Sequence, residues 1–269
     1  MLGESVLEEA LRALAYAALV GLAFAPLERV FALEAGRRTR WATDLLFATV
    51  GHAGTRLLLL YGLGTALLLA QELATDAGLG AGSPLAALHP ALRLPLGLLL
   101  FELAGYGYHR LAHSVPLLWR LHRVHHTAPT MDWLASFRRH PLEIALMTLA
   151  QNLPLVLLGV PLAEHAMVVL LLALNTVFVH GNLRTPRWLE RVIATPRFHH
   201  RHHDAHARPA NYATLFPWLD RLFGTHDAAD AGVIGLPDGD DPGFVALLLA
   251  RAPRSEPEAA PEPAPAPPV

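Results

Sequence analysis

Apolar residues dominate four stretches of the chain, 10–27, 44–70, 94–108 and 142–179, and polar, arginine-bearing segments separate them. A helix needs about 20 mostly apolar residues to cross the hydrocarbon core of a bilayer. Each stretch is of the order of one span. The last is long enough to cross twice, with Gly159-Val160-Pro161 as the turn. The pattern predicts an all-α integral membrane protein of four to five transmembrane helices with a helical cap at one membrane face. Residues 1–94 would hold the N-terminal spans, 95–250 the unit that carries the chemistry, and 251–269 a tail. That tail is largely proline, alanine and glutamate; it cannot bury an apolar face and is expected to be disordered. The first stretch imitates a signal peptide, but Glu4, Glu8 and Glu9 precede it where basic residues belong, and Pro26 directly follows Ala23-Phe24-Ala25. An uncleaved span is the expectation.

Composition agrees. Over 269 residues, 53% are apolar and 16% charged, against about 25% charged in ordinary soluble domains. A soluble helical protein with a large core is the competing reading. A net charge of −2 offers no basic field for nucleic acid. Cysteine is absent, so disulfides and thiolate ligands are excluded. Arginine supplies every basic side chain, and with abundant alanine, leucine, glycine and proline this suggests a GC-rich bacterial genome and hence a bacterial inner membrane. Arg37, Arg38 and Arg40 follow the first apolar stretch, whereas the 71–90 segment carries Glu72 and Asp76 and no arginine until Arg93. The positive-inside rule then places 36–42, 109–141 and 180–269 in the cytoplasm. Trp41, Tyr106, Tyr108, Trp119, Trp133 and Trp188 fall near the ends of the expected spans, as interfacial aromatics do.

The chemistry lies in the histidines. Ten of sixteen sit in two clusters: His109, His113, His122, His125 and His126, then His199, His200, His202, His203 and His206. Each cluster contains His-x-x-His-His. In a helix the i, i+3 and i+4 positions share a face, so each triplet is expected to aim three imidazoles at one point, and His109 and His113 do likewise. Pro116 is expected to interrupt the helix that carries His109 and His113, with a second short helix over Leu117–His126 ending before Pro129, and Thr195-Pro196 reads as an N-cap followed by proline at the first helical position. In that register His199, His202 and His203 lie within an arc of roughly 100°, and His200 points about 100° away from His199. His206 would join the arc only in a longer helix, which Asp204 and Pro209 oppose. So many convergent imidazoles suit iron, zinc or copper and exceed one coordination shell, which points to a dinuclear centre. A lone histidine in such a segment is more often a solvated, pH-sensitive surface residue. His52, His89, His165 and His226 are read as packing or surface residues.

The arrangement resembles the fatty acid hydroxylase superfamily, also called the sterol desaturase family, of integral membrane di-iron enzymes. The likeness rests on His109/His113, His122/His125/His126, the intermediate His180 and His199/His202/His203. The flanks match as well: Trp119-Arg120-Leu121 before the first triplet, Arg139-His140-Pro141-Leu142-Glu143, His180-Gly181-Asn182-Leu183, and Asn211-Tyr212 through Trp218-Leu219-Asp220-Arg221-Leu222-Phe223-Gly224-Thr225. It covers about residues 95–226. His226 stands where many relatives have an aromatic residue. The resemblance implies that those nine histidines bind two irons. His140, Asp204 and His206 are further candidates, as extra ligands or as supports behind them. Glu102, Asp132, Glu143, Asp204 and Asp220 are candidate carboxylates to orient the rings and balance charge.

The resemblance further implies dioxygen as co-substrate and a membrane lipid whose chain reaches the metals while its head stays near water. Small residues in 66–70 and 97–107 are either a slot for that chain or close-packing contacts between spans. Flavin, nicotinamide, haem and iron–sulfur signatures are absent from the sequence, so electrons would come from a ferredoxin or cytochrome docking on the arginine-rich face. Two other readings compete: a membrane metal-binding or transport protein, and a lipid-processing metalloenzyme that uses no oxygen. Transport places ligands in mid-membrane, whereas these clusters follow span ends. Hydroxylation and desaturation begin with the same hydrogen abstraction, so the motifs do not separate them.

Overall fold

The computed structural model describes residues 2–35, 41–78, 84–160, 162–239 and 242–250. The arginines at 37, 38 and 40, residues 79–83 of the 71–90 segment, Pro161 and the 251–269 tail lie outside the described residues. Helix α1 runs Leu2–Val30, and α2 runs unbroken over Trp41–Asp76 with π-helical stretches at Phe47–Gly51 and Leu58–Leu63. Then come α3 (Pro90–Ala112), α4 (Pro116–His126), α5 (Pro141–Leu157), α6 (Leu162–His180), α7 (Pro196–His202), α8 (Trp218–Leu222) and α9 (Phe244–Leu248). Among the described residues there is no strand, only one isolated bridge between Asp204 and Ile234.

Local chemistry sets several of these boundaries. Proline occupies the start of α3, α4, α5 and α7, where its missing N–H is no loss. His89, His140 and Thr195 cap α3, α5 and α7 through their side chains. The turn expected after α5 is present, with Gly159 at φ +71°, a conformation glycine adopts without steric penalty.

The long helices are apolar on their outsides. Leu11, Leu14, Leu19 and Leu22 of α1 and Leu60, Leu68, Leu69 and Leu73 of α2 are exposed, the inverse of a water-soluble surface. Val6–Val30 and Trp41–Asp76 are long and apolar enough to cross a membrane. Pro141–Leu157, at 17 residues, rises only about 26 Å at roughly 1.5 Å per residue, short of a core about 30 Å thick. Among the described residues, two helices thus meet the length and composition of a span, with shorter apolar helices beside them.

Inside, α3 packs most extensively on α5, and Phe101, Leu155, Val160, Val168 and Leu172 fill the space between α3, α5 and α6. Gly105 allows this approach: a Cβ there would lie 2.5 Å from the Gln151 amide nitrogen. Gly105 thus serves close packing, whereas a Cβ at Gly107 would meet nothing within 4 Å. A second cluster, Tyr106, Val179, Ala194, Phe198, Tyr212, Ala213 and Leu219, ties α3 and α6 to α7 and the 210–219 segment. It seats the histidine helices.

Candidate metal centre

Four separate elements deliver the histidines. α3 ends with His109, and His113 is its C-cap residue; α4 carries His122, His125 and His126; His180 is the last residue of α6; α7 carries His199 and His202, with His203 as its C-cap. Two groups result: His109, His113, His122, His126 and His202, and His125, His180, His199 and His203, with the ligand atoms of each group all within 4.8 Å of one another. All are buried except His113, which is half-buried.

This corrects the expectation that each triplet converges on one point. In both triplets the i and i+4 residues join one group and the i+3 residue joins the other: His122 and His126 stand apart from His125, and His199 and His203 from His202. Helical geometry explains the split. Positions i and i+4 are only about 40° apart around the axis, whereas i+3 lies about 60° to the other side of i. Each triplet therefore straddles the two groups.

Backbone carbonyls fix the ring tautomers. The Nδ1–H of His109 donates to Tyr212 O (2.7 Å), that of His125 to Arg138 O (3.1 Å), that of His180 to Thr176 O (2.6 Å) and that of His202 to Ala210 O (2.6 Å). A neutral imidazole carries one N–H, so the Nε2 of each of these rings is left as a bare lone pair. Yet His125 and His180 bring these two nitrogens to 2.8 Å, and the His202 Nε2 is buried without a partner. Facing lone pairs repel unless a cation lies between or beside them. The donor set therefore fits metal ions. Burial, reinforced by the neighbouring imidazoles, pushes His122, His125, His126, His199 and His203 well below the ordinary histidine pKa; burial lowers His202 to about 4, partly offset by the Ala210 carbonyl. These rings are neutral near pH 7, the form that binds metals.

A further layer holds the rings. Glu143 Oε1 lies 3.3 Å from His122 Nδ1 and is itself gripped by Arg139 at 2.9 and 3.1 Å. The other candidate carboxylates organise loops. Glu102 accepts the N–H groups of Thr214 (2.6 Å) and Leu215 (2.5 Å), Asp220 those of Tyr212 and Ala213, and Asp132 those of Leu134 and Ala135. Asp204 pairs with Arg201 at 2.6 Å and accepts from Gly232 and His206.

His140, Asp204 and His206 are not brought to either group. Both ring nitrogens of His140 are occupied, Nδ1 accepting from Leu142 N–H as the cap of α5 and Nε2 donating to Leu248 O at 2.9 Å. His206 is exposed, because α7 stops at His202. His200 stays outside the groups but is fully buried, bridging Glu34 Oε1 (2.8 Å) and His180 O (3.3 Å). His52 packs between Tyr16 and Phe137, His89 caps α3 at the surface, and His226 lies beside Phe198 and Glu190. The side chain of His165 lies outside the described residues.

Sequence reasoning missed Glu28, Glu34 and Asp44. Glu28 Oε1 accepts from Trp133 (2.7 Å) and Asn182 (3.0 Å), and Asp44 binds the buried Arg138. Their partners lie so far along the chain that no local spacing could reveal them.

With this geometry in place, the comparisons with known proteins are specific. A sequence model of the family described as fatty acid hydroxylase matches residues 94–225. The chain carries a fatty acid hydroxylase domain. All nine grouped histidines lie within it, and α1 and α2 lie outside it. Similar curated proteins include the ornithine lipid hydroxylase OlsE of Rhizobium tropici, 30% identical over 54% of this chain and 46% of that protein. The Delta(7)-sterol 5(6)-desaturase ERG3B of Gibberella zeae is 30% identical over 47% and 39%, and the human alkylglycerol monooxygenase 27% over 48% and 29%. The match thus spans less than half the length of each relative. No solved structure matches the chain.

Proposed function

We propose that the protein is a membrane-bound oxidoreductase that hydroxylates or desaturates a lipid at a di-iron centre, using dioxygen and electrons from an external ferredoxin or cytochrome. In this reading His109, His113, His122, His126 and His202 hold one iron, and His125, His180, His199 and His203 the other. The observation that carries it is the pair of buried, neutral histidine groups, whose facing nitrogens call for cations. When bound, two irons and dioxygen supply the oxidising power to remove hydrogen from an unactivated C–H bond.

The chain's own residues position and shield. Carbonyls of Tyr212, Arg138, Thr176 and Ala210 hold the rings, and Glu143 with Arg139 backs His122. Trp119 packs over His113 and His126, with ring centroids 5.0 and 5.4 Å apart, and covers the five-histidine group. The proposed topology has four to five crossings of a bacterial inner membrane, with the histidines on the cytoplasmic side, where the arginine-rich segments lie. Relatives named for ornithine lipid, sterol and alkylglycerol favour a membrane lipid substrate. Comparative lipidomics of a deletion strain tests this. One lipid should shift by one oxygen or by two hydrogens and be restored by the wild-type gene; an unchanged lipid profile would overturn the assignment.

A further inference from the structure

The two histidine groups are supported differently. The five-histidine group leans on Glu143 and on the Tyr212 and Ala210 carbonyls, all within the hydroxylase domain. In the four-histidine group, His199 and His203 have no partner on their buried Nδ1 atoms. The His180 ring is held by the Thr176 carbonyl within the domain, but the His180 backbone carbonyl and the His125 ring are reached by contacts that trace back to residues ahead of it.

One trace runs through α2. Asp44, buried near its start, forms an ion pair with the fully buried Arg138, whose side chain also donates to Thr127 O at 3.1 Å. The carbonyl of Arg138 takes the Nδ1–H of His125. The other runs through the segment after α1. Glu34 Oε1 binds His200 Nδ1 at 2.8 Å, and His200 Nε2 reaches the His180 carbonyl. Glu34 is itself fixed from the far side. Its N–H donates to Asn182 Oδ1 at 2.8 Å, and its carbonyl accepts from Asn182 Nδ2 at 3.0 Å, two residues past His180. Glu28 completes the clamp by accepting the Asn182 N–H.

We propose that Glu34 and Asp44, which lie outside the hydroxylase domain, are positioning residues for the four-histidine group: Glu34 through His200 onto His180, Asp44 through Arg138 onto His125. The inference rests on the metal-centre reading above and adds that the segment ahead of the domain governs one metal ion and not the other. Removing a group that orients a metal ligand typically weakens that metal by about 10–100-fold. An effect confined to one ion separates positioning from general loss of structure.

The test is a titration of the metal-free, full-length protein in detergent with Co2+, followed by visible absorption and equilibrium dialysis. Wild type should take up about two ions, and His199→Ala and His202→Ala identify the bands of the four- and five-histidine groups. In Glu34→Ala the band lost in His199→Ala should need about 10–100-fold more Co2+, and the other should be unmoved. Glu34→Gln keeps an oxygen acceptor for His200 without the charge and should hold the affected ion more tightly than Glu34→Ala. Asp44→Asn removes the carboxylate charge beside the buried Arg138 and can fail to fold, so its helical circular dichroism is checked and Asp44→Glu is measured beside it. The Glu34 side chain is 40% exposed, so Glu34→Ala carries the test whatever Asp44 does. Both ions held as tightly in Glu34→Ala as in wild type, or both weakened equally, overturns the proposal. A wild-type protein that takes up no Co2+ overturns the metal-centre reading itself.

Discussion

The carboxylate of Asp220 receives the N–H of Tyr212 at 2.8 Å, and the carbonyl of the same Tyr212 receives the Nδ1–H of His109 at 2.7 Å. Asp220 also accepts from Ala213 N–H (2.9 Å) and from the Thr225 hydroxyl (2.7 Å). One buried side chain at the start of α8 thus sets the position of a carbonyl that orients a histidine on α3. Asp220→Ala should strand these buried donors at about 1–3 kcal/mol each. It should lower both the melting temperature and the metal content of the five-histidine group. Thermal unfolding and metal analysis check this; unchanged values in both would mean that the loop holds its shape without the carboxylate.

Metal content tests the centre directly. Nine neutral ligands exceed what one four- to six-coordinate ion uses, so protein purified in detergent should carry about two transition-metal ions per chain. His125→Ala and His203→Ala should lower that number and abolish lipid product. Full retention of metal and product in both variants would refute the dinuclear assignment. Zinc in the purified protein would not count against iron in the cell, because affinity order does not report the working metal.

His200 and His202 are near neighbours with different duties. His202→Ala removes a ring of the five-histidine group and should strip metal from it. His200→Ala removes only the bridge from Glu34 to the His180 carbonyl. It should leave the five-histidine group loaded and weaken the other by about 10–100-fold. Bound metal measured at matched expression distinguishes the two, and loss of the same ion from both variants would contradict the grouping.

Acid should destabilise the metal-free protein. Burial holds His202 at about 4, against about 6.5 for an ordinary histidine. Between those values the unfolded chain takes up a proton that the folded chain refuses. Stability that is complete above about pH 6.5 is therefore lost as pH falls toward 4. His122, His125, His126, His199 and His203 are displaced in the same direction and add to the slope. Melting temperature should fall steadily from pH 7 to pH 5 without metal. A flat profile would show that these rings are hydrated in solution.

Topology is testable because the chain has no cysteine. Single cysteines placed in 76–84 should react with impermeant thiol reagents in intact cells. Those in 127–138 and 226–240 should react only once the membrane is opened. Labelling of 226–240 from outside would reverse the proposed orientation and with it the choice of electron donors.

Much of this molecule is legible one helix at a time. Apolar runs announce α1 and α2, Pro116 and Thr195-Pro196 mark where α4 and α7 begin, and the i, i+3, i+4 spacing shows that His122, His125 and His126 leave one side of their helix together. These are local properties, because helical periodicity and capping involve residues within a turn of each other. Which metal group each histidine joins is not local. His125 parts from His122 and His126 because α6 and α7 present His180 and His199 to it, and only the docking of those helices supplies that partner. His140 sits as close to the motifs as any ligand, yet the start of α5 claims its ring as a cap, and the end of α7 leaves His206 at the surface. Glu34 and Asp44 reach the site from segments with no histidine spacing at all. A metal centre is a convergence of separate elements, and the packing that brings them together is set by contacts far apart in the chain.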